Sequence, residues 1–360
     1  MSKTALASLT SSALLLCACA MPLISASAAE KEVKKESAAD AKQAEAVEES
    51  LEGARYVAIG SSFAAGPMLP PAKPGAPARC GQSMNNYPTL LAERFGMVLV
   101  DRTCSGARTE HVLGPWGDIP PQIEAVSEAT RLVTVTIGGN DLNYIGNLFF
   151  AACHSQAREA VAKGQAVKPC PAVRVPKEAD YFRVERQMNE IARRIRLAAP
   201  RARLVFVQYL TPLPPKLCAV TPIAERDAAV VRRIGKRLAE ITGRVAQQNR
   251  AIVVEMNQSS ASHTPCDPEP WMIGWPKDYD GKQGMRWHLN LAGMKATADG
   301  IAYWLAKAGM NPATPQQTAP AARTGSSPEA ASPQAAPETT PAQTAAAPDI
   351  PEVGGPDPAN

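Results

Sequence analysis

Four short blocks hold the side chains that could do chemistry: Gly60-Ser61-Ser62-Phe63, Cys104-Ser105-Gly106-Ala107, Gly138-Gly139-Asn140-Asp141 and Trp287-His288-Leu289-Asn290. Ser62 offers a hydroxyl nucleophile, which is weak until a base takes its proton. His288 is the candidate base; the other histidines are His111, His154 and His263. Gly106 lacks a side chain, so its N–H can approach a ligand closely. The N–H groups of Ser62 and Gly106 and the Asn140 amide are donors suited to a developing oxyanion. Together these are the parts of an acyl-transfer site. Taken singly, each has a plain structural explanation. Ser61 or Ser62 could cap a helix, Gly106 could serve a turn, and Asn140 or Asp141 could cap the helix starting near Leu142. The residues around Ser62 do not form the Gly-x-Ser-x-Gly elbow of α/β-hydrolases.

The four blocks gain weight from their positions. Each falls where a predicted strand gives way to a loop or helix. Apolar runs at 56–59, 97–100, 132–137, 204–207 and 251–254 read as strands, and helical spacing recurs at 87–95, 121–129, 179–198, 225–248 and 291–306. Val184, Met188, Ile191 and Ile195 make one apolar helix face. Continuous apolar strands alternating with helices predict an α/β chain with a flavodoxin-like three-layer α/β/α domain and a five-stranded parallel sheet. Ligands bind such sheets at the carboxyl ends of the strands, which is where the four blocks lie. Two long segments, 153–176 and 256–287, have no strong pattern and read as loops serving the site. The second leads into His288 and is expected to wall the cleft. Trp271, Trp275 and Trp287 would suit an acyl groove, a sugar platform or packing of the loop itself.

Composition bounds the rest. The net charge of +4 is spread over 360 residues, which does not suggest nucleic acid as a partner. Residues 5–24 are apolar, preceded by Lys3 and followed by Ala26-Ser27-Ala28, so 1–28 reads as an export signal. A membrane anchor helix is the competing reading, weakened by Ser11, Ser12 and Cys17. Leu16-Cys17-Ala18-Cys19 also resembles a lipoprotein box, in which acylated Cys19 would tether the protein peripherally to a membrane. Residues 29–54 read as a charged tether, 55–311 as the folded domain, and 312–360 as a disordered Ala/Pro/Thr-rich tail. Six cysteines lie outside the export segment, and an exported domain meets an oxidising compartment. Pairing sequential neighbours is the simplest scheme: Cys80 with Cys104, Cys153 with Cys170, Cys218 with Cys266. None has the short spacing of a zinc knuckle, so no metal is expected.

The blocks resemble those of the SGNH hydrolases, also called GDSL-type esterases and lipases, from about residue 55 to 308. The secreted bacterial branch with three disulfides is the most similar. Its likeness rests on Gly60-Ser61-Ser62-Phe63-Ala64-Ala65-Gly66, Cys104-Ser105-Gly106-Ala107, Thr136-Ile137-Gly138-Gly139-Asn140-Asp141 and the six cysteines. The resemblance implies that Ser62 and His288 are catalytic and that Ser62, Gly106 and Asn140 form the oxyanion hole. It supports the sequential disulfides. It further implies a monomer without a cofactor, acting on a small-molecule or lipid ester outside the cytoplasm, whether secreted, periplasmic or at the cell surface. Two departures stand out. Ser61 replaces an Asp before the nucleophile, and Met285 replaces an Asp three residues before the histidine. The base then lacks its usual orienting carboxylate. A main-chain carbonyl of Met285 or Arg286 could hold the imidazole instead, or Asp278 or Asp280 could fold back to it. The expected function is a serine esterase or lipase. The alternatives are an O-acetyl esterase of polysaccharide or peptidoglycan, and a catalytically degenerate lipid- or glycan-binding protein. The rate should fall as His288 protonates, around its reference pKa of about 6.5 or wherever the site moves it. A profile flat down to pH 4 would count against His288 as base.

Overall fold

Residues 49–312 are described from a computed structural model. The export signal with Cys17 and Cys19, the tether up to residue 48 and the tail from residue 313 lie outside the described residues. Five strands form one all-parallel sheet: β1 (Arg55–Gly60), β2 (Val98–Asp101), β3 (Thr130–Thr136), β4 (Arg203–Val207) and β5 (Ile252–Val254), in the order β2-β1-β3-β4-β5. The order reverses direction between β1 and β3, and a crevice opens at such a point. Val57, Ile59, Leu132, Val133, Val135, Leu204 and Phe206 are buried. The apolar runs are continuous because both sheet faces are covered.

The helices are α1 (Ser62–Ala65), α2 (Tyr87–Phe95), α3 (Thr109–Leu113), α4 (Tyr144–Ala162), α5 (Glu178–Ala198), α6 (Glu225–Gln248), α7 (Met256–Ser259) and α8 (Leu291–Lys307). One group packs α2 against α8, and another packs α6 against α4 and α5. Sequence signals place the ends. Asn86 caps α2 by accepting from the Thr89 N–H at 3.0 Å, and Asn290 caps α8 by accepting from the Gly293 N–H at 2.9 Å. On α5, Val184, Met188, Ile191 and Ile195 are all buried, and each such side chain stabilises by roughly 1.5–3 kcal/mol.

Three expectations about elements need correction. Residues 121–129 do not form a helix; only a 3₁₀ turn, Gln122–Ala125, is present. Its Gln122 side chain instead accepts from the Gly60 N–H at 2.8 Å and donates to the Gly60 carbonyl at 3.1 Å, completing the hydrogen bonding at the end of β1. Residues 153–176 are not all loop, because α4 runs on to Ala162 with Ala151, Ala152 and Ser155 buried on its inner side. The folded part also begins before residue 55. Glu49–Ser50 pairs in parallel with Met310–Asn311, and Leu51 is fully buried. The cysteines pair as Cys80–Cys104, Cys153–Cys170 and Cys218–Cys266. Among the described residues no helix is long and apolar enough to cross a membrane.

Candidate active site

Strand β1 delivers Ser62. Gly60 closes the strand where a Cβ would lie 2.7 Å from the Thr136 carbonyl oxygen, so only glycine lets β1 and β3 approach this closely. The Ser61 N–H donates to that same oxygen at 2.9 Å. Ser62 then opens α1, and Gly66 ends it in the left-handed region at φ 75°. Ser61 stands at the N-cap position, but its hydroxyl does not cap the helix. It shares a 2.6 Å hydrogen bond with the hydroxyl of buried Tyr209, at the end of β4. The Ser62 hydroxyl is likewise no cap: its Oγ lies 2.8 Å from Nε2 of His288.

The loop after β2 brings Gly106 alongside. The Cys104 N–H donates to the Gly60 carbonyl at 3.0 Å, and the Cys80–Cys104 disulfide ties the loop from outside. The Ser105 hydroxyl adds a bond to the Cys80 carbonyl at 2.8 Å. Gly106 itself has φ 84°, and a Cβ there would meet the Trp116 ring at 3.1 Å. From the end of β3, Asn140 reaches the same loop, its Nδ2 donating to the Ala107 carbonyl at 2.9 Å. One Nδ2 proton is thus fixed and the other is left over. Among the described residues the Ser62 and Gly106 N–H groups donate to no protein acceptor. Neighbouring Asp141 accepts from the Thr109 N–H and hydroxyl, fastening β3 to α3. Burial pushes its carboxyl pKa up, against those hydrogen bonds.

His288 arrives from the other side, on the turn before α8. Its Nδ1 lies 2.9 Å from the Arg286 carbonyl oxygen. A carbonyl only accepts, so Nδ1 carries the proton and Nε2 presents its lone pair to Ser62. Of the candidate orienting groups, the Arg286 carbonyl is the one within hydrogen-bonding distance of the ring. The Met285 carbonyl accepts the His288 main-chain N–H at 3.1 Å, not the ring. Neither aspartate comes to the imidazole: Asp278 is exposed, and Asp280 accepts from the Lys282 N–H at 2.9 Å. Burial pushes the His288 pKa down from its usual value to about 4, and the carbonyl bond only partly opposes this. The acid limit expected of His288 thus moves, as the sequence reading allowed, from the reference value of about 6.5 to about pH 4.

Segment 256–287, expected to be loop throughout, opens with the short helix α7, and its remainder packs along the His288 turn. The Trp287 N–H donates to the Ile273 carbonyl at 2.8 Å, and the Ile273 N–H donates to the His288 carbonyl at 2.9 Å. Trp287 is fully buried with φ 62°, a left-handed conformation that costs energy for a bulky residue and is held by this packing. Trp271 stacks on His263 at 3.9 Å. Trp275 meets Phe149, whose ring lies 6.5 Å from His288, and Phe63 lies 5.5 Å from His288. Phe63, Phe149 and the Ser61–Tyr209 bond were not singled out from sequence. Phe63 could have been, as the neighbour of Ser62; Phe149 reaches the site only through the course of α4. Among the described residues no cluster of three or more His, Cys, Asp or Glu is placed to hold a metal ion.

The GDSL-like lipase/acylhydrolase family matches residues 58–296. Lipase 2 of Streptomyces coelicolor strain A3(2) is 30% identical over 236 residues, covering 61% of this chain and 77% of its own. Two solved structures share the fold. Phospholipase A1 from Streptomyces albidoflavus NA297 has a TM-score of 0.54 at 18% identity, and the extracellular lipase from Streptomyces rimosus 0.53 at 22%. Each match covers 69% of this chain and 98% of the other. The sheet order, the serine beside a histidine and the extent of the family match converge: the chain belongs to the GDSL-like lipase/acylhydrolase family and is a serine hydrolase of carboxylic esters.

Proposed function

We propose that Ser62 is the nucleophile of an acyl-enzyme mechanism and that His288 acts as its base without a carboxylate partner. The observation that carries this reading is the hydrogen-bonded line from Ser62 Oγ through the imidazole to the Arg286 carbonyl, at 2.8 and 2.9 Å. As Ser62 attacks the ester carbonyl, Nε2 takes its proton. The oxyanion then accepts from the Ser62 and Gly106 N–H groups and the remaining Asn140 Nδ2 proton. His288 next protonates the leaving alcohol, leaving an ester on Ser62. Water, deprotonated by the same nitrogen, releases the acid and restores the hydroxyl. A carbonyl dipole stabilises the transient imidazolium less than a carboxylate would. The dyad therefore exchanges base strength for a histidine that stays neutral, and competent, in mild acid.

The apolar rings of Phe63 and Phe149 beside the imidazole, with Trp275 packed against Phe149, favour an acyl chain, so the substrate class proposed is a lipid or short-chain carboxylic ester. Three disulfides and likeness to an extracellular lipase suggest secretion. Export by residues 1–28, with or without acylation of Cys19, belongs to the proposal. The test is hydrolysis of p-nitrophenyl acetate, butyrate and palmitate with fluorophosphonate labelling of the same samples. Ser62→Ala should lower kcat/KM by about 10⁴-fold or more and abolish the label. A labelled, active Ser62→Ala enzyme would overturn the assignment, and the chain-length profile separates esterase from lipase.

A further inference from the structure

A concave site lies at the end of the sheet opposite Ser62. The starts of β4 and β5 border a cleft of about 710 Å³ lined by Arg196, Arg201, Arg203 and Arg250, with Gln248 and Asn249. No carboxylate is among its lining residues. Arg196, in the last turn of α5, builds the rim. Its guanidinium donates to the carbonyls of Ala202 at 2.9 Å, Asn249 at 3.2 Å and Arg250 at 2.9 Å, joining the chain before β4 to the chain before β5.

Helices α5 and α6 both end here, and a helix C-terminus favours a cation. Arg196 meets that demand, which leaves three guanidiniums unexplained. Arg201 reaches only exposed Glu128, at 3.9 Å, and Arg203 and Arg250 pair with no carboxylate among the described residues. Burial and then the like charge of Arg203 hold the Arg196 guanidinium below its usual range, so these charges feel one another. Arg250 is also held at φ 50°, in the left-handed region that a long side chain seldom adopts. Like charges gathered in a concavity without counterions repel, and a multivalent oxyanion relieves that repulsion. Arginine suits this ligand because its planar fork can bind phosphate oxygens in pairs.

We propose that this cleft binds a phosphate-bearing anion at a site remote from Ser62. The ligand would span more than one guanidinium, as a diphosphate or a row of phosphate groups does. Its source is either a soluble phosphate compound or the headgroups of an anionic lipid surface. Nothing in the proposal depends on the ester-cleaving residues.

Inorganic pyrophosphate titrated calorimetrically into the full chain tests it, beside the exposed-residue variant Arg203→Gln/Arg250→Gln. Co-sedimentation with phosphatidylglycerol vesicles, against phosphatidylcholine vesicles, distinguishes the sources. Expected are saturable binding that weakens about tenfold or more in the variant and unchanged p-nitrophenyl butyrate hydrolysis. Pyrophosphate binding alone assigns a soluble phosphate; vesicle binding lost in the variant assigns a headgroup. Absence of saturable binding to either probe, or binding that the double variant keeps, overturns the proposal.

Discussion

The two halves of the ester site are built by different means. Ser62, Gly106 and Asn140 stand at the ends of β1, β2 and β3, neighbours in one ladder whose register is fixed residue by residue. Short hydrogen bonds from Cys104 to Gly60, Ser61 to Thr136 and Asn140 to Ala107 then lock the three loops together. His288 has no strand beneath it. It hangs on a long loop, oriented by the Arg286 carbonyl and by main-chain bonds to Ile273 and Met285. The strand-borne half is thus specified by side-chain identity, and the loop-borne half by backbone course and burial. The two should respond differently to mutation and to pH.

The strand-borne half should be the more brittle. Asn140→Ala removes the proposed oxyanion donor and the tie to Ala107, and kcat should fall by about 10²–10³-fold with little change in KM. Steady-state kinetics on p-nitrophenyl butyrate reads this; a loss confined to KM would place Asn140 in ground-state binding instead.

The loop-borne half should show itself in acid stability. The buried imidazole of His288 stays neutral in the folded protein down to about pH 4, whereas in the unfolded chain it takes a proton near pH 6.5. Between those values the unfolded state binds more protons, so stability rises with pH. The contribution is whole above pH 6.5 and drains away as pH falls towards 4, by about 2 kcal/mol at pH 5. His288→Gln removes this dependence. Its urea-unfolding free energy relative to wild type should therefore improve by about 2 kcal/mol between pH 8 and pH 5. An unchanged difference would mean that the imidazole is not desolvated.

The smallest effect sharpens the comparison further. If the Arg286 carbonyl alone orients the ring, Asp278→Asn/Asp280→Asn should keep kcat/KM within about twofold, as surface substitutions usually do. A loss of tenfold or more would return a carboxylate to the dyad.

The same contrast explains what could be read from the sequence. The five strands, their parallel arrangement and the four blocks were legible because continuous apolar runs alternating with helices, and the residues at strand ends, are local properties. Ser62, Gly106, Asn140 and His288 could be picked out as candidates because the chemistry proposed for them is tied to residue type. The group beside Nδ1 of His288 was legible only as a short set of candidates, Arg286 among them, since every residue has a carbonyl and only the turn geometry shows which one reaches the ring. The depressed pKa of His288 was hidden for a related reason, because burial is set by segments as distant as Phe63 and Phe149. Gln122 illustrates the opposite case. Its segment has helical spacing, yet its side chain bonds better to the open end of β1 than a helix turn would use it.

The measurement that bears most directly on the carbonyl-held dyad is the pH dependence of kcat/KM for methyl butyrate, followed by gas chromatography from pH 3 to pH 8. The structure predicts a plateau through mild acid with half-maximal activity near pH 4. An acid limb near pH 6.5 would contradict it, by showing an imidazole that is solvated or held by a carboxylate.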